Sequence, residues 1–80
     1  MRALAHKEKL ILTDILSSLL DELDEECLKT IRLIGNLRKQ GLTEEQLEDM
    51  LGELSAAATH LKVHSEQVEK AIEEELDKEA

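Results

Sequence analysis

The segment Lys39-Gln40-Gly41-Leu42-Thr43-Glu44-Glu45-Gln46-Leu47 decides the fold of this 80-residue chain. Lys39, Gln40 and Gly41 have the chemistry of a helix end: basic side chains favour the negative C-terminal pole, and glycine readily takes the left-handed conformation that closes a helix. Thr43 to Gln46 then matches a capping box, in which the threonine hydroxyl accepts from the amide of residue 46 and the glutamine side chain reaches back to the amide of residue 43. Leu42 and Leu47 hold the two hydrophobic-staple positions, and Glu44 and Glu45 sit at the positive pole of the helix that begins here. One helix stops and another starts across a turn at 41–43.

Outward from this turn, apolar residues recur at helical spacing on both sides. Before it they are Leu12, Ile15, Leu16, Leu19, Leu20, Leu23, Cys27, Ile31, Ile34 and Leu37, which on a wheel of roughly 100° per residue form a stripe about 160° wide. After it they are Leu47, Met50, Leu51, Leu54, Ala57, Ala58, Leu61, Ser65, Val68, Ile72 and Leu76, again on one face. Strand-like alternation is absent, proline is absent, and only three glycines occur. The fold class is therefore all-α: an antiparallel two-helix hairpin, one domain over 1–80, with helix 1 at about 6–40 and helix 2 at about 44–77. Each rod is about 50 Å long at about 1.5 Å per residue.

The charges fit an antiparallel pairing. Folding about position 42 sets residue i of the first helix near residue 84 − i of the second. Lys29, Arg32, Arg38 and Lys39 then face Glu44, Glu45, Glu48, Asp49 and Glu53. Asp21, Glu22, Asp24, Glu25 and Glu26 face His60, Lys62 and His64, and the acidic tail 66–79 runs back toward Arg2, Lys7 and Lys9. Each exposed pair is worth at most about 1 kcal/mol, so the pattern selects a register rather than supplying the stability. Both stripes are wider than a two-helix seam can bury, and a chain this small gains only a few kcal/mol from its own core. Homodimerisation into a four-helix bundle is the simplest closed solution.

Composition excludes several functions. The chain carries 10 Lys+Arg against 19 Asp+Glu, a net −9, with no aromatic residue. A charge of that sign repels phosphate backbones, and without aromatics there is no base-stacking platform, so direct nucleic-acid binding is not expected. Residues Met1 to Lys7 lack the apolar run of a signal peptide, and no stretch approaches the roughly 20 apolar residues of a membrane span, so a cytoplasmic location without membrane contact is expected.

No nucleophile–base set, phosphate-cradling glycine loop or EF-hand loop occurs, so no catalytic residue, cofactor or enzymatic activity is expected. His60 and His64 stand four residues apart and could share a metal ion, but no further ligand motif accompanies them; they read as flank histidines facing the acidic patch. Cys27 lies on the apolar stripe, opposite Ala57 and Ala58 in the expected register, and reads as a packing residue of a small-residue layer.

The expected function is a small noncatalytic protein–protein interaction module, an adaptor, chaperone-like factor or regulatory subunit. It would bind itself and a helix of another protein through Leu16, Leu20, Leu23, Ile31, Leu54, Leu61 and Val68. The alternative is an acidic inhibitor that imitates nucleic-acid charge and occupies a basic groove through Asp21, Glu22, Asp24, Glu25, Glu26 and the acidic tail.

Overall fold

The computed structural model describes residues 12–79, which form two helices, α1 (Asp14–Leu37) and α2 (Glu44–Glu79). The first helix starts later than the spacing of apolar residues predicts. Residues 6–11 of the expected helix lie outside the described residues, and Leu12 and Thr13 are not helical. Thr13 is extended at φ −70°, ψ 159°, and its hydroxyl accepts a 3.1 Å hydrogen bond from the Leu16 amide, which makes it the N-cap of α1. A threonine hydroxyl that satisfies an orphan amide of the first turn stabilises a start at that point by about 1 kcal/mol, and Asp14 adds a negative charge at the positive pole.

The helix also ends earlier, at Leu37 instead of near residue 40. Gly35 and Asn36 have poor helix propensity, and the Arg38 and Lys39 amides bond back three residues, to the Gly35 and Asn36 carbonyls at 3.3 and 3.2 Å, so that the last turn tightens and stops. Gly41 does take the left-handed conformation, at φ 81°, but four residues beyond the last helical one, inside a loop that spans 38–43.

The capping box forms as the sequence predicts. The Gln46 amide donates to the Thr43 hydroxyl at 3.0 Å, and the Thr43 amide donates to Gln46 Oε1 at 2.9 Å. From that cap α2 runs for 36 residues, about 54 Å of helix, to Glu79. The two helices pack on each other in a rod of 58 × 19 × 18 Å whose radius of gyration, 18.4 Å, far exceeds the about 12 Å of a compact chain of this length.

Two contacts fix direction and register. Glu26 meets His60 and Glu22 meets His64, so the chain runs antiparallel, and the paired numbers add to 86, two more than expected. The acidic stretch of α1 therefore does lie against the histidines of α2. Arg2, Lys7 and Lys9, expected against the acidic tail, lie outside the described residues.

The buried and half-buried residues recur with alternating steps of three and four. In α1 they include Leu16, Leu19, Leu23, Glu26, Thr30, Leu33 and Leu37, and in α2 Met50, Leu54, Ala57, Leu61, His64, Val68, Ala71 and Glu75. This is the spacing of a coiled-coil seam, with a mean of about 3.5 residues per turn. Leu16, Leu33, Ala57 and Val68 are its most buried members, and full burial of a leucine is worth about 1.5–3 kcal/mol. Thr30 enters the seam without an unpaired hydroxyl, because it donates to the Glu26 carbonyl at 2.8 Å.

The seam is narrower than the expected stripes: Leu12, Ile15 and Ile34 of the first and Leu47, Leu51, Ala58, Ser65, Ile72 and Leu76 of the second are exposed, and three further residues mark where the inward face moves. Leu33, not among the residues of the stripe, is buried, whereas Ile31 is 64% exposed and Cys27 is exposed. A seam of period about 3.5 on a helix of period about 3.6 drifts by about 20° per heptad, so the inward face at residue 33 is no longer the face that Leu16 defined. Cys27 is thus not a core residue. Ala57, its expected neighbour, packs inside at 1% exposure, and Ala58 faces out.

Candidate protein-binding surface

A two-helix seam has two long flanks, and here they differ in chemistry. On one side stand the residues just before the seam positions: Glu22, Lys29 and Asn36 of α1, with Glu53, His60, Gln67 and Glu74 of α2. The two cross-helix contacts place these rows together, since Glu22 reaches His64 at 3.7 Å and His60 Nδ1 lies 3.2 Å from Glu26 Oε1. His60 Nδ1 is within hydrogen-bond distance of Glu26, whereas His64 Nδ1 is buried without a hydrogen bond, with the Glu22 carboxylate the nearest charge. Apart from Ile15, this flank is polar along its described length.

The opposite flank follows by geometry. It carries the residues just after the seam positions, namely Leu20, Cys27 and Ile34 of α1 and Leu51, Ala58, Ser65 and Ile72 of α2. No charged residue interrupts either row. Ile34, Leu51 and Ile72 are 37%, 50% and 41% exposed, and Cys27, Ala58 and Ser65 are open to solvent as well. Leu47 and Leu76 extend the apolar surface at the two ends of α2. An uncharged apolar strip along a rod with 36% charged residues is where association would bury apolar area at least desolvation cost.

Most of the residues expected to meet a partner are occupied in holding the hairpin together. Leu16 and Val68 are buried, Leu23, Leu54 and Leu61 are half-buried at seam positions, and Leu20 is half-buried at the edge of the open flank. Ile31 stands beyond that flank and faces solvent. Sequence reasoning missed Cys27, Ile34, Leu51, Ala58 and Ile72 as a separate surface, because one wide stripe was read where a buried seam and an open flank lie side by side. The heptad steps 20–27–34 and 51–58–65–72 were the signal that separates them.

The remaining acidic side chains divide between these surfaces. Glu22 and Glu26 turn to the histidines, while Asp21, Asp24 and Glu25 are exposed. Among the described residues no group of three or more His, Cys, Asp or Glu is placed to hold a metal ion, and no helix is long and apolar enough to cross a membrane. Comparison with protein-family models, with curated proteins and with solved structures finds no match to this chain.

Proposed function

We propose that this chain is a noncatalytic protein–protein interaction module, of the adaptor, chaperone-like or regulatory-subunit kind, that works as a pair of hairpins. The uncharged flank Leu20, Cys27, Ile34, Leu51, Ala58, Ser65 and Ile72 is the observation that carries this reading, because the seam leaves it uncovered. Its first partner is a second copy, which closes a four-helix bundle. The Leu16, Leu23, Leu54, Leu61 and Val68 positions support that role from within, as the packing that keeps the flank straight.

The surface area supports self-association. The accessible surface is 6107 Å², against about 4,900 Å² for a compact monomer of this mass, an excess of about 1,200 Å². A standard interface removes about 800 Å² from each partner, so the excess is of the size a stable dimer buries.

Light scattering across a salt series tests the proposal. Apolar docking keeps a mass of twice 9.0 kDa as salt rises, whereas contacts made by exposed charges weaken over the same range. A monomer at all salt concentrations overturns the paired module. Loss of the dimer on adding salt overturns the apolar flank as its basis.

A further inference from the structure

The open flank reads the same in both directions along the rod. In α1 its row runs Leu20, Cys27, Ile34, and in α2 Leu51, Ala58, Ser65, Ile72, with large side chains at both ends and small ones between. Reversing the first row about Cys27 brings Leu20 onto Ile34. Reversing the second about its midpoint brings Leu51 onto Ile72 and Ala58 onto Ser65, and the same operation sets exposed Leu47 on exposed Leu76.

The two centres of reversal lie at nearly the same height. The cross-helix contacts set Cys27 level with Thr59, and the α2 midpoint falls between Leu61 and Lys62, about 4 Å further along the axis. A single two-fold axis midway between them, running across the flank at right angles to the rod, maps each row onto itself to within about 4 Å, inside the reach of the side chains that an isologous interface would pair.

We infer that the occupant of this flank is a second copy turned end for end, with the two 38–43 loops at opposite ends of the bundle and the two Cys27 side chains beside the two-fold axis. The inference rests on the self-association proposed above and adds to it the face and the orientation. In this arrangement α1 lies against its counterpart and α2 against its counterpart. Leu20 meets Ile34 of the other copy, Leu51 meets Ile72, and the small residues at the centre let the helices approach. The opposite choice, with both loops at one end, lays α1 on the other copy's α2. It keeps Ile34 level with Leu51, but sets Leu20 level with Ser65 and carries Ile72 to the level of Asp14, at the very start of α1, so Leu20 and Ile72 lose their large partners.

The single cysteine makes the orientation measurable on the full chain. A short bis-maleimide is added to the native protein, and to a Cys27→Ala variant that carries Gln40→Cys in the loop, with the mass of each sample read beforehand by light scattering. The native protein is expected to give a covalent dimer through Cys27. The loop variant is expected to scatter as a dimer and yet stay a single chain on a denaturing gel, since its thiols are a rod's length apart. A covalent dimer through position 40 overturns the end-for-end orientation while self-association stands. A sample that scatters as a dimer but does not cross-link through Cys27 overturns the assignment of the face. A mass of 9.0 kDa before cross-linking overturns the self-association itself, and the inference with it.

Discussion

The two flanks of the hairpin come from the same two helices and differ by two positions in the heptad, yet one is mostly polar and the other is uncharged and largely apolar. On the polar flank, Glu22 with His64 and Glu26 with His60 bridge the helices, and most of the remaining residues are charged or amide side chains that water solvates. On the apolar flank Ile34, Leu51 and Ile72 stay exposed with no charge among them. The seam fixes the fold, and the flank rows set how its two long sides meet water. A two-position shift in where leucine and isoleucine fall separates a solvated surface from one that association would bury.

The largest expected effect lies in the seam on which both flanks depend. Leu33→Ala removes a buried side chain and is expected to cost about 2–4 kcal/mol, whereas Ile31→Ala, two residues away on the exposed side, costs under about 0.5 kcal/mol. Urea unfolding followed by circular dichroism checks both, and equal losses would contradict the assigned seam.

Charging the flanks separates them next. Leu51→Asp together with Ile72→Asp is expected to weaken self-association at least about tenfold, a loss of about 1.4 kcal/mol or more, while Gln67→Asp on the polar flank leaves it unchanged. Sedimentation of dilution series reads both. A similar response from the two flanks would end the distinction between them.

Smaller changes are expected at the loop and at the ladder. Thr43→Ala removes one half of the capping box and is expected to cost about 1 kcal/mol in thermal or urea unfolding, with Thr43→Ser retaining most of it. Gly41→Ala forces a Cβ into the left-handed region at φ 81° and is expected to destabilise by about 1 kcal/mol, although its Cβ would meet no neighbouring atom. A double-mutant cycle on Glu26→Gln and His60→Gln should give a coupling of about 0.5 kcal/mol or less, because His60 is half open to water.

The turn was the most legible part of the chain, since capping chemistry is local: Thr43 and Gln46 need only each other, and both bonds are present. The antiparallel direction and the facing of acidic residues on His60 and His64 were legible for a similar reason, being set by the turn. The start of α1 was less so, because a threonine within an apolar run can cap a helix or sit inside it, and Thr13 caps. The division of the apolar residues was hidden from a straight-helix wheel, which has no drift; the supercoil moves Leu33 in and turns Cys27 and Ile31 out. What covers the open flank was not legible at all from spacing, since a row of apolar side chains specifies burial without specifying by whom.

The claim that one flank of this hairpin is closed by a second copy meets its most direct test in sedimentation equilibrium of the full chain. The account predicts a mass of twice 9.0 kDa that falls to a single chain when Leu51 and Ile72 are both replaced by aspartate. A folded, helical species of 9.0 kDa at every concentration up to the solubility limit would contradict it.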